Sequence, residues 1–136
     1  MKVSVVIVAF KSDHLLENLI SSIPNYYEII VIENSLNHNV QNNLKKFKNV
    51  KVIIPKENLG YGKSFNLGLD ISKSNITCFI SPDIYIPENC FENITKIIKK
   101  FNDFSILAPT YKNETIHKNY QIKDKVQLNN LIVDNN

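Results

Sequence analysis

The chain has 136 residues, 43% of them hydrophobic, with seven Phe and six Tyr, enough for one core of ordinary domain size. Its net charge of +3 rests on sixteen basic residues, all Lys and dispersed, which argues against a nucleic-acid surface and leaves any phosphate to ammonium groups and backbone amides. No apolar run approaches the length of a membrane span, no leader pattern precedes the first strand pattern, and Cys78 and Cys90 read as free thiols of a reducing, cytoplasmic compartment.

Residues 3–10 are a near-continuous β-branched run and predict a strand buried on both faces. Ser12 or Asp13 can cap a helix in which Leu15, Leu16, Leu19, Ile20 and Ile23 recur at helical spacing until Pro24. Residues 28–33 predict a second buried strand, Val40, Leu44 and Phe47 a short helix, and residues 50–54 a third strand. A loop holding Gly60 and Gly62 then opens a helix carrying Phe65, Leu67 and Leu69. Residues 75–80 predict a fourth strand ending at Ser81-Pro82-Asp83. Pro87 and Glu88 suit the first turn of a helix with an apolar stripe of Phe91, Ile94, Ile97, Ile98 and Phe101. Residues 104–108 read as a fifth strand ended by Pro109, and 110–136 as a weakly defined tail, lysine-rich to 126 and with a last short strand or part of a helix at 126–133. The alternation predicts an α/β fold in a single domain, 1–136: a Rossmann-like three-layer α/β/α sandwich with a mostly parallel sheet.

In such a sheet, ligands sit at the carboxyl ends of the strands, and the unusual residues fall there. The third strand leads into Asn58-Leu59-Gly60-Tyr61-Gly62-Lys63-Ser64-Phe65-Asn66, a strand–loop–helix junction suited to phosphate. Gly60 and Gly62 would allow a tight turn and close approach, and Lys63 and Asn66 add a charge and an amide. The alternative is a turn that merely needs glycine. A Walker A loop is excluded because Glu57 stands where its first glycine is required, and a dinucleotide fingerprint because Phe65 does. Glu33, after four apolar residues, would accept from a base or ribose, or else pin its own loop. Asp83 would hold a divalent cation with bound phosphates, or else cap a helix. His14, His38 and His117 lack metal-ligand spacing, and a phosphorylatable Asp after the third strand is missing, so a metal hydrolase and a receiver domain are excluded.

Together these segments resemble the family 2 inverting glycosyltransferases of GT-A fold, particularly the rhamnosyltransferase-like branch. Residues 5–12 resemble that family's V-V-I-V-T-Y-N-S, 30–35 its V-V-V-D-N-x-S, 58–69 its N-x-G-F-G-R-x-x-N-x-G, and 79–83 its L-L-N-P-D. The resemblance covers about residues 1–109. It implies that Ala9, Phe10, Glu33 and Ser35 line a base and ribose pocket. Gly60, Lys63 and Asn66 would border the diphosphate, and Asp83 would contact Mg or Mn. The implied donor is a nucleotide-diphosphate sugar, and the implied acceptor a glycan or lipid-linked molecule of bacterial surface polysaccharide synthesis, worked on in the cytoplasm or at the inner membrane face. Glu33 replaces the family's usual Asp, and Ser81 leaves the metal motif one carboxylate. The family's acceptor half and catalytic base follow the nucleotide-binding half, so the chain reads as truncated after that half. No catalytic residue can be placed; the rest of the site would come from a longer gene product, from a second copy or partner chain, or from nowhere. The alternative is a nucleotide-binding module without turnover.

Overall fold

The structure is a computed structural model, and it describes residues 2–100 and 104–107. Four parallel strands form the sheet: β1 (Val3–Ala9), β2 (Glu28–Glu33), β3 (Val50–Ile53) and β4 (Ile76–Ile80), in the order β3-β2-β1-β4. Ala9 pairs with Glu33, Ile7 with Ile80 and Ile32 with Ile53. The carboxyl ends of all four strands therefore share one edge. β1 is buried along its whole length, which explains its lack of alternation, whereas β3 and β4 are half-buried.

The pleat sends alternate side chains to opposite faces. Val5, Ile7, Ile29 and Val31 face one layer, with Leu16, Leu19 and Ile20 of α1 (Asp13–Ser21), Val40 of α2 (Asn39–Asn43), and Leu44. Val6, Val8, Ile30 and Ile32 face the other, with Phe65, Leu67 and Ile71 of α3 (Gly60–Ile71). Each fully buried aliphatic side chain stabilises by about 1.5–3 kcal/mol. This is the expected three-layer sandwich. α3 lies so close to β1 that a Cβ at Gly68 would come 2.3 Å from Val6 Cγ1.

Residues up to Phe91 form one unit, and a second begins at Glu92. Of the second, the structure describes the remainder of α4 (Cys90–Lys100) and residues 104–107. Glu92 pairs with Lys96 one turn on at 2.9 Å, and Lys99 and Lys100 complement the negative end of the helix dipole.

Three expectations change. Residues 104–107 form no strand and Ile106 is 70% exposed, because a strand needs a neighbour for its backbone groups and an apolar run cannot specify one. α4 starts at Cys90, after Pro87 and Glu88, with the Cys90 N–H donating to the Pro87 carbonyl at 3.0 Å. Leu69 is half exposed, while Phe65 and Leu67 pack as expected. Phe101, Ala108 and the tail 110–136 lie outside the described residues. No helix among the described residues is long and apolar enough to cross a membrane.

Candidate functional site

The chain steps outward from β1 to β2 to β3, then crosses back to place β4 on the other side of β1. The loops after β1 and β4 therefore diverge, and a crevice opens between them at the carboxyl edge. A cleft of about 380 Å³ lies there. Val8, Phe10, Ser12 and Leu15 come from β1 and the start of α1. Ser81, Pro82 and Asp83 come from the loop after β4, and Asn34, Asn58, Gly60 and Tyr61 close the remaining side. Phe10 and Tyr61 are about half exposed, leaving ring faces at the mouth. The mixture of apolar walls, two rings and a few polar groups is that of a small-molecule site. A smaller hollow of about 190 Å³ is lined by residues of α1 and α2 with Leu44.

The walls are held by side chains that do not reach for a ligand. Asn34 is buried. Its Nδ2 donates to Ser64 Oγ at 2.7 Å and to the Gly60 carbonyl at 3.3 Å, while Oδ1 accepts from the Leu59 N–H at 3.4 Å. Its own N–H donates to the Ala9 carbonyl at 2.8 Å. One residue thus ties the ends of β1 and β2 to the start of α3, its backbone N–H to β1 and its side-chain amide to α3. Gly60 there has φ +71°, where an L side chain is strained, so the glycine answers the turn. Gly62 is already inside α3 with open space around it, so the tight-turn expectation holds for Gly60 and not for Gly62.

Two non-glycine residues also sit in the left-handed region: Lys11, with φ 53°, and Leu36, with φ 62°. Both follow strand ends at the carboxyl edge of the sheet, where strained backbone concentrates in functional loops. The Leu36 turn is bracketed by Glu33, whose Oε1 accepts from the Ser35 N–H at 3.2 Å and from the Ser35 hydroxyl, and whose Oε2 accepts from the Asn37 N–H at 2.7 Å.

Of the residues expected to form the site, Phe10, Gly60 and Asp83 line the cleft. Ala9, Glu33, Ser35, Lys63 and Asn66 do not. Ala9 faces the core, and Lys63 and Asn66 are exposed on α3. Glu33 is 1% exposed with both oxygens engaged by its own loop, which matches the loop-pinning alternative. Sequence reading gave Asn34, Asn58 and Tyr61 no role of their own, and it took Ser12 only as a cap. The available signal was position: each lies within three residues of a nominated one.

Asp83 is fully exposed at the cleft. The Ser81 hydroxyl donates to its Oδ1 at 2.5 Å, and that bond, with the residue's own backbone N–H, holds the carboxyl below the usual carboxylate range. Among the described residues no three His, Cys, Asp or Glu side chains gather as a metal cage. A single ionised carboxylate fits the alternative in which a hard cation is shared with a ligand's phosphates. Asp83 is the one carboxylate among the residues lining the cleft.

Comparison with known proteins agrees with this architecture. The glycosyl transferase family 2 profile matches residues 4–133, and the chain belongs to that family. It is similar to the crystal structure of S. aureus TarS 1-349, with a TM-score of 0.69 and 22% identity over 89% of this chain and 39% of that one. It is also similar to the mannosyltransferase PcManGT from Pyrobaculum calidifontis in complex with GDP-Man and Mn2+, with a TM-score of 0.63 and 14% identity over 80% and 34% of the two chains. At these identities the likeness shows the GT-A fold, and the chain spans well under half the length of either structure. No curated protein matches the chain.

Proposed function

We propose that this domain binds the nucleotide-diphosphate sugar of a transfer to a glycan or lipid-linked acceptor in bacterial surface polysaccharide synthesis, with the rhamnosyltransferase-like branch as its nearest kind. The observation that carries the reading is the cleft at the switch point between β1 and β4, in a chain of this family. In the proposed reaction the acceptor oxygen bonds to the anomeric carbon as that carbon's bond to the diphosphate oxygen breaks. The diphosphate leaves with the electron pair, and the acceptor proton passes to a base. Asp83 would hold a Mg or Mn ion, which when bound supplies charge neutralisation to the diphosphate. Phe10 and Tyr61 offer ring faces to the base, and Gly60 lets the main chain approach. That PcManGT is described with GDP-Man and Mn2+ supports the same ligand class here.

A second reading is favoured by one observation. Asp83, the cleft's one carboxylate among the described residues, is assigned to the cation, so the base must come from elsewhere, whether later in the chain, a second copy or a partner chain. Without it the domain is a nucleotide-sugar binding module. Calorimetric titration with UDP and GDP, with and without Mn2+, followed by a donor-hydrolysis assay, separates the two. Binding with turnover supports the enzyme, binding alone the module, and no binding sinks both. Asp83→Asn is expected to abolish the tightening of nucleotide binding by Mn2+ and to leave the metal-free affinity within about twofold.

A further inference from the structure

Ser12 stands at the N-cap of α1, yet its side chain makes no capping bond. It is 9% exposed and lines the cleft, and its Oγ is buried with no hydrogen-bond partner among the described residues. It is the one buried side-chain polar atom found in that state there. An unsatisfied buried hydroxyl destabilises a fold by about 1–3 kcal/mol, so its place here calls for a reason. A structural reason is lacking: the cap is unused, and the hydroxyl bonds to nothing among the described residues.

We infer that Ser12 is a ligand-contact residue whose hydroxyl hydrogen-bonds the edge of a nucleobase seated in the cleft. The inference rests on the nucleotide-sugar reading of the site. Its neighbours on the wall are Val8 and Leu15, with the Phe10 ring at the mouth. A neutral hydroxyl beside apolar groups suits a neutral heteroaromatic edge, and among the described residues no lysine lines the cleft to hold a phosphate at that wall. To meet a ligand the hydroxyl has to leave its buried position by rotating about Cα–Cβ into another staggered well. Because a hydroxyl both donates and accepts, it can meet either a ring N–H or an exocyclic carbonyl. Ser12 therefore strengthens binding of the base without selecting one base strongly.

The test is Ser12→Ala in the full chain, with three measurements: thermal melting without ligand, affinity for UDP and GDP, and affinity for inorganic pyrophosphate with Mn2+. The inference expects nucleotide binding weakened about 3- to 10-fold, the scale of one hydrogen bond. Pyrophosphate binding stays unchanged, and the ligand-free melting temperature is equal or higher, since a frustrated hydroxyl has been removed. Unchanged nucleotide affinity overturns it, as does an equal loss for pyrophosphate. A lower melting temperature overturns it too, since the hydroxyl would then be structural. If the unsubstituted chain binds no nucleotide, the functional reading falls and takes this inference with it. If that chain binds and Ser12→Ala binds equally well, only this inference falls.

Discussion

Gly68 is the residue where helix and sheet come closest, with the Val6 methyl occupying the space a side chain would need. Two effects compete in Gly68→Ala. Alanine is about 1 kcal/mol the better helix former, while overpacking a tight core contact costs about 1–3 kcal/mol. At 2.3 Å the clash wins, and a net loss of about 1–2 kcal/mol in urea unfolding is expected. Val6→Ala added to Gly68→Ala should recover part of that loss in a double-mutant cycle. A stabilised Gly68→Ala would show the two elements to be farther apart than described. Asn34 acts differently, through unmet polar groups. Asn34→Ala strands the Leu59 N–H and removes one partner each from Ser64 Oγ and the Gly60 carbonyl, for an expected loss of about 1–3 kcal/mol. Nucleotide affinity should fall with it, because the loop at Gly60 loses its anchor. Equilibrium unfolding beside a nucleotide titration checks both.

At the scale of elements, the strands were readable wherever burial was two-sided. Residues 28–33 gave β2 with its observed limits, because an unbroken β-branched and apolar run has few other homes. The run at 104–107 fails for the opposite reason: nothing local tells it whether a neighbouring strand is available. The candidate site was legible at strand ends, where Phe10, Gly60 and Asp83 were found. Spacing could not reveal that the Glu33 carboxylate turns back on its own loop, or that Ser12 leaves its cap unused. Both depend on rotamers and neighbours fixed only by tertiary packing. β4 also carries Cys78, which packs against the core with Cys90 beside it. Burial first, and the neighbouring thiol second, push the Cys78 thiol up to about 11. Its thiolate is then scarce at pH 8, and alkylation by iodoacetamide should run about 100-fold slower than for a free cysteine. Mass spectrometry of a labelling time course measures this, and a rate near that of free cysteine would place Cys78 at the surface.

Across the sheet as a whole, the edge opposite the cleft has its own polar tie. Glu28 Oε2 accepts from the Ser4 hydroxyl at 2.7 Å and from the Lys73 N–H at 3.2 Å, joining β1, β2 and the turn after α3. Partial burial pushes the carboxyl up, but those two bonds and the charges of Lys73 and Lys51 outweigh it and hold it below the usual range. A carboxyl lowered in the folded state stabilises above its unfolded value and loses that contribution as pH falls through the folded one. Unfolding free energy should therefore drop as pH falls below the ordinary carboxylate range. Glu28→Gln should flatten the profile by roughly 0.5 kcal/mol, a solvent-screened amount. Identical profiles for the two proteins would remove Glu28 from the acid response.

The cleft divides its labour between two groups of residues. Asn34, Glu33 and Ser64 are buried and hold the loops, while Phe10, Tyr61 and Asp83 face outward and carry little of the fold. Specificity can drift in such an arrangement without collapse. A combinatorial library varied at the outward three should return mainly folded clones with altered ligand preference, whereas one varied at the inward three should return mainly aggregates. A lineage using this scaffold could change ligands by altering its rim while leaving the framework beneath untouched.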